Sequence, residues 1–260
     1  MADLLLQQFG EQQLAGFFLV LARLSPLFLM APLFSSKMVP GRVRTVIAVG
    51  LAIGLTPVVV GDQKISLDAW TYAGLIVKEL LVGGAFAFAL GAMFAAIGVA
   101  GTFLDYFVGL SFGNLVDPVT GTNTTIISQL YSLVGVVIFI AIGGEDWVIA
   151  GFARTFDIVG LTESPSIGTL VAGANEAFVG IFSAAVQIAG PIMLAMVLAD
   201  AAFGVVSRVV PQLNVFGVGF PVKLILGVLL IGVTLPYLGG WISGELTDSV
   251  SMALHTLKVA

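Results

Sequence analysis

The stretch Phe107–Gln129, FVGLSFGNLVDPVTGTNTTIISQ, lies between two strongly apolar segments yet carries Asn114, Asp117, Pro118, Thr120, Gly121, Thr122, Asn123, Thr124 and Thr125. Pro118 removes a backbone donor, and Gly113 and Gly121 loosen the chain. The Asn, Asp and Thr side chains compete for local backbone hydrogen bonds, so a turn or loop is favoured over a lipid-facing helix. In a membrane protein, irregular backbone is tolerated outside the bilayer, buried in protein, or lining a watery cavity. Two readings stand on the pattern: a surface loop, or an element of a pore.

The composition around this stretch sets the class. Of 260 residues, 58% are hydrophobic and 10% charged, against about 25% charged in a soluble domain. The mean hydropathy is +1.11. The chain therefore reads as a multi-pass, all-α integral membrane protein. A net charge of −5 offers no basic stripe for nucleic acid. With no cysteine and a single histidine, His255, thiol catalysis, disulfides and multi-histidine metal sites are excluded. No P-loop, dinucleotide fingerprint, HExxH or GxSxG occurs. The expectation is a protein that is not an enzyme and needs no cofactor or metal.

In chain order, residues 1–13 lack the basic start of a cleaved signal peptide. Leu14–Phe34 is long enough to span, but Arg23 must face protein or water: it either pairs inside the helix bundle or serves transport directly. Ser35–Arg44 reads as a Pro-Gly turn holding Lys37, Pro40, Arg42 and Arg44. The cations Lys37, Arg42 and Arg44 mark a cytoplasmic side, contact neighbouring subunits, or meet anionic lipid. Val46–Val60 reads as a short apolar segment broken by Pro57.

Leu75–Tyr106 is then apolar for 32 residues apart from Lys78, Glu79 and Asp105. An upright helix of that length would reach about 48 Å, against a hydrocarbon core of about 30 Å. A tilt, a break at Gly83–Gly84 or Gly98–Gly101, or an excursion out of the bilayer resolves the excess. Gly84, Gly91 and Gly98 recur at seven-residue spacing and predict a face of close helix approach.

Beyond the central stretch, Ile126–Ile142 is apolar, Trp147–Thr155 is amphipathic with Trp147 as an interfacial anchor, and Asp157–Gly173 reads as a connector. Ala174–Val206 repeats the length problem. Arg208–Lys223 reads as a turn rich in Pro and Gly, Leu224–Leu238 as the last apolar segment, and Gly239–Ala260 as an amphipathic tail. Lys and Arg number five on the side of the Ser35–Arg44 turn and three on the other, which favours both termini outside. Glu79, Asp105 and Asp200, each near a predicted segment end, are either salt-bridged or interfacial groups or the ion sites of a secondary transporter.

Three motifs in order, RLSPLFLMAPLFSSKMVPGRVR at Arg23–Arg44, GLSFGNLVDPVTG at Gly109–Gly121 and RVVPQLNVFGVGFPVKLILG at Arg208–Gly227, resemble the FliR/SctT export-gate family essentially end to end. The stretch IGGEDWVIAGFARTFDIVGL after the central loop is also similar to it. Where the flagellar pattern often carries Gly-His, Gly144 and Glu145 stand here, so the virulence-secretion branch is kept beside the flagellar one. The resemblance implies a single membrane domain over residues 1–260, built of tilted, partly broken helical hairpins. Residues 1–170 would be FliP-like and residues 174–260 a FliQ-like hairpin turning at Pro211–Phe220.

The same resemblance implies a subunit of the type III protein export gate in the bacterial inner membrane, at the flagellar basal body. Its partners would be FliP and FliQ homologues, an FlhB-type protein, membrane lipid and unfolded export substrates. The central loop would plug the closed pore, mapping to Gly109–Asn123. Leu110, Phe112, Leu115 and Val116 would seal it, and Asp117, Pro118 and Gly121 would form its turn. Arg23, Pro32, Lys37, Pro40, Arg42, Arg44, Glu79, Pro211, Gln212, Phe220, Pro221 and Lys223 are the expected subunit-interface or structural positions. An autonomous ion-coupled transporter is the alternative of a different class.

Overall fold

A computed structural model describes residues 10–31, 40–61, 63–111, 125–212 and 214–257. Seven α-helices occur among them: α1 (Glu11–Met30), α2 (Gly41–Val60), α3 (Ala69–Val108), α4 (Ile126–Ala141), α5 (Gly144–Ile158), α6 (Ile167–Val209) and α7 (Val215–Thr256). Five of them, α1, α2, α3, α6 and α7, are long and apolar enough to cross a membrane, and the bent pair α4 and α5 makes a sixth candidate. The protein is an all-α integral membrane protein.

The length excess is larger than the sequence suggests. Helices α3, α6 and α7 run for 40, 43 and 42 residues, each about 60 Å or more at about 1.5 Å per residue. No break interrupts α3 at Gly83–Gly84 or at Gly98–Gly101. Glycine weakens a helix without removing a donor, and apolar packing on a long helix outweighs about 1 kcal/mol per glycine. Nor does proline end these helices: Pro26, Pro57, Pro191, Pro221 and Pro236 all lie inside helices. Between α4 and α5 the helix is interrupted, where Gly143 takes the left-handed conformation at φ 68°.

Several predicted boundaries move for the same reason. Arg42 and Arg44 do not sit in a turn but in the first residues of α2. The expected connector Asp157–Gly173 already contains the start of α6 at Ile167. The turn predicted over Arg208–Lys223 contracts to residues between Val209 and Val215, so Phe220, Pro221 and Lys223 are helical, and the last apolar segment and tail form one helix.

The chain divides into two compact units, one made of residues 1–91, 143–177 and 246–260, the other of residues 92–142 and 178–245. In the first unit α1 packs on α3 so closely that a Cβ at Gly83 would overlap the Arg23 carbonyl oxygen. Phe86 and Phe156 each meet Phe152 edge to face, with centroids 5.9 and 5.6 Å apart. Gln12 closes the link before α3 by exchanging hydrogen bonds with the backbone of Ile65.

In the second unit the end of α3 and the start of α4 form an antiparallel hairpin. The Phe94 and Phe139 rings lie 5.3 Å apart, and a Cβ at Gly101 would stand 2.5 Å from the Ser128 Cα. The close approaches on α3 are thus at Gly83 and Gly101, whereas Gly84 has open space and Gly91 and Gly98 make ordinary contacts. The predicted seven-residue spacing of Gly84, Gly91 and Gly98 therefore does not mark the tight contacts, because the partner helices α1 and α4 approach α3 at other glycines.

Candidate functional site: a buried charge cluster and the ends of the central segment

Arg23 on α1 is fully buried, as is Glu79 on α3. The guanidinium grips the carboxylate with two prongs: Nε donates to Oε2, and Nη2 donates to Oε1 at 3.0 Å. Its remaining donors reach the end of α5, with Nη1 on the Thr155 carbonyl at 2.9 Å and Nη2 on the Val159 carbonyl at 2.8 Å. The guanidinium also lies 4.1 Å from the centre of the Phe156 ring. Lys78 approaches the same carboxylate at 2.6 Å and donates to the carbonyls of Gly160 and Leu161.

Two cations and one carboxylate leave an excess positive charge in a dry site, which is costly unless compensated. The compensation comes from α5. A helix C-terminus carries roughly half a negative charge on its free carbonyls, and the last turn of α5 holds no basic residue of its own. Arg23 and Lys78 supply from α1 and α3 what α5 lacks. Glu79 is therefore no interfacial group: it stands well inside α3, paired and shielded. Of this cluster, Thr155 and Phe156 carried no signal in the sequence, because their roles depend on where α5 ends.

The central segment is approached from two described ends. Asp105, near the end of α3, is buried to 1% exposure. Its main-chain carbonyl accepts from the amides of Gly109 at 3.1 Å and Ser111 at 3.3 Å. Its carboxylate accepts from the amides of Ile127 and Ser128, each at 3.1 Å. These amides belong to the first turn of α4, whose N-cap Thr125 makes no side-chain capping hydrogen bond. Asp105 caps α4 from another helix. Ser128 Oγ in turn donates to the Gly98 carbonyl at 2.8 Å.

Of the expected plug residues, Gly109 and Leu110 are described; Phe112, Leu115, Val116, Asp117, Pro118, Gly121 and Asn123 lie outside the described residues, as do Pro32 and Lys37. Gly109 has φ 97°, a left-handed conformation that favours glycine, and the Phe220 ring stands 3.2 Å from where its Cβ would be. Phe220 thus joins the start of α7 to the entry of the central segment. Lys223 on α7 pairs with Asp200 on α6 at 2.7 Å, with the Asp200 side chain 55% exposed. Pro211 and Gln212 form the exposed turn between these helices. Pro40 is the N-cap of α2. Arg42 and Arg44 follow it at a helix end whose dipole disfavours cations.

The helices differ sharply in how much of their apolar surface the chain itself covers. The most apolar windows of α1 and α3 are 50% and 56% buried, whereas those of α2, α6 and α7 are 22%, 28% and 17% buried. Large side chains such as Val58, Leu194, Leu198, Leu229 and Val233 stand exposed on them. No group of His, Cys, Asp and Glu among the described residues is arranged to hold a metal ion.

Comparison with known proteins accords with this arrangement. The family described as bacterial export proteins, family 1, matches residues 14–249. The flagellar biosynthetic protein FliR of Bacillus subtilis is 30% identical over 219 residues, 83% of this chain and 84% of that protein. The flagellar biosynthetic protein FliR of Escherichia coli is 27% identical over 235 residues, 89% of this chain and 90% of that protein. The surface presentation of antigens protein SpaR of Shigella sonnei is 27% identical over 212 residues, 82% of each chain. A match over nearly the whole length, together with helices whose apolar faces the chain leaves uncovered, has a plain conclusion: the chain belongs to family 1 of the bacterial export proteins.

Proposed function

We propose that this chain is the subunit of the flagellar type III export gate that combines with FliP and FliQ homologues to form the inner-membrane channel for unfolded flagellar proteins. The observation that carries this reading is the near full-length match to flagellar relatives at 27–30% identity. The uncovered apolar faces of α2, α6 and α7 support it, since a multi-subunit channel buries such faces between chains. An FlhB-type protein and the surrounding lipid are further neighbours on this reading, and the basal body is its location. The chain contributes no catalysis and draws no energy itself. Residues 1–170 take the FliP-like part and residues 174–260 the FliQ-like hairpin.

Within the channel, the segment Gly109–Asn123 acts as the plug, closing the pore by steric occlusion and dewetting. The ionisable groups argue against an autonomous transporter: Glu79 is held by two cations, Asp105 by backbone amides and Asp200 by Lys223. Each of the three is engaged by a partner within the chain.

The test is native mass spectrometry of the tagged chain, purified in mild detergent from cells expressing its gene neighbourhood. One copy with several copies of two small membrane proteins is expected; a lone chain or homodimer that still transports a solute overturns the reading. Deleting Asp117–Gly121 in cells with a complete gate should leak small solutes, and unchanged permeability would count against the plug. SpaR-like function is separated by complementation: restored motility in a flagellar mutant favours the flagellar branch, and restored virulence-type secretion alone favours the other.

A further inference from the structure

Asp105 is buried and carries no cation partner among the described residues, so its charge rests on hydrogen bonds alone. Those bonds go to two places, residues 109–111 and residues 127–128, on either side of the central segment. The main-chain carbonyl holds the amides of Gly109 and Ser111, where the chain leaves α3. The carboxylate holds the amides of Ile127 and Ser128, where it enters α4. Close contact of Gly101 with Ser128 and the Ser128 hydroxyl on the Gly98 carbonyl keep the two helices from sliding apart below this point. A carboxylate here exploits the positive end of α4, where about half a unit of charge is available, and bonds to a charged acceptor are stronger than neutral ones.

We infer that Asp105 is a positioning residue of the gate, fastening residues 109–111 to residues 127–128 and thereby setting the separation at which the central segment begins and ends. The inference rests on the reading of that segment as the plug. A plug can seal reproducibly only if its ends are held at a defined spacing, because loose ends multiply the conformations the intervening chain samples. Removing the carboxylate frees the amides of Ile127 and Ser128 and loosens the start of α4 ahead of Ser128, while the Ser128 hydroxyl on Gly98 and the contact at Gly101 still join the helix pair. Export through an opened gate does not need the fastening, whereas tightness of the resting gate does.

The experiment uses complete gates carrying Asp105→Ala, Asp105→Asn or the Asp117–Gly121 deletion, each quantified by native mass spectrometry, with small-solute leak and substrate export measured in parallel. Because the chain has no cysteine, Leu110→Cys and Ile126→Cys can carry a pair of spin labels that report the separation directly. Asp105→Ala removes the carboxylate's bonds to two amides and should raise leak on the order of tenfold or more, since one charge-assisted hydrogen bond alone gives about that shift, with export retained and the spin-label distances broadened. Asp105→Asn, which keeps an acceptor oxygen without the charge, should fall between, and it serves as the readout if the alanine variant fails to enter the gate.

Leak and distances equal to wild type in a fully assembled Asp105 variant, beside a leaking deletion, overturn the inference. If the deletion does not leak, the plug reading fails and the spin labels decide alone: broadened distances keep Asp105 as the fastening, and unchanged distances overturn it.

Discussion

Arg23 and Glu79 stand 56 positions apart in the chain and form a two-pronged ion pair from which water is excluded. The pair joins α1 to α3, and through the carbonyls of Thr155 and Val159 it also takes in the end of α5. Three helices of one unit therefore depend on one guanidinium.

Breaking that pair from either side should be severe. Arg23→Met leaves the carboxylate with Lys78 alone and strips the carbonyls of Thr155 and Val159 of the guanidinium, and Glu79→Gln leaves two buried cations facing each other. Each single change is expected to cost about 3–5 kcal/mol. The double variant should cost clearly less than the sum, as contacting partners do. Unfolding midpoints in detergent for the four proteins of the cycle provide the check, and strictly additive costs would show that the two side chains do not act on each other.

Gly83 and Gly84 are adjacent on α3 but should respond oppositely to alanine. A methyl at Gly83 overlaps the Arg23 carbonyl oxygen, which is backbone and cannot swing aside, whereas Gly84 faces open space. Gly83→Ala is expected to lose about 1–3 kcal/mol through forced separation of α1 and α3. Gly84→Ala should be neutral or gain up to about 1 kcal/mol from helix propensity. Thermal unfolding of the two variants side by side tests this; a destabilised Gly84→Ala with a normal Gly83→Ala would reverse the packing assignment.

Asp68 sits immediately before α3, and its carboxylate accepts from the Thr71 amide at 3.1 Å and the Thr71 hydroxyl at 3.0 Å. These bonds hold its carboxyl below the ordinary value of 3.8, the Thr71 amide contributing most. A depressed carboxyl contributes stability that is fully present above the unfolded value and is lost as pH falls through the lower folded one. The first turn of α3 should therefore fray only in acid, at pH values below about 4. Amide exchange of Thr71 and Tyr72 across that range is the measurement. In Asp68→Asn the acid-dependent change should vanish, and its persistence would assign the fraying to another group.

Much of this architecture was legible before folding. Helix type and membrane class follow from composition and apolar runs, because lipid leaves a backbone no alternative to internal hydrogen bonding. At Phe107–Gln129 the helices reach further in than the local pattern suggests, through Val108 on one side and from Ile126 on the other, while Pro118 and the Asn and Thr residues around it lie outside the described residues. What misled was local punctuation: Pro57 read as a break, Pro221 as part of a turn, and Gly83–Gly84 as one of several ways to resolve an over-long segment, yet all lie within continuous helix. Arg42 and Arg44 read as a turn for the same reason. A break signal costs only a few kcal/mol, and contacts made far along a long helix can exceed that sum.

The sequence by itself determined that this chain is a membrane-embedded helical protein with charged groups too costly to face lipid, because those properties depend on residue type and near neighbours. Only the tertiary structure decided what those charges meet. That Arg23 finds Glu79, that Lys78 meets the end of α5, and that Asp105 caps α4 depend on which helix ends lie side by side. A buried charge specifies that it must have a partner, and the packing of helices distant in the chain specifies which one.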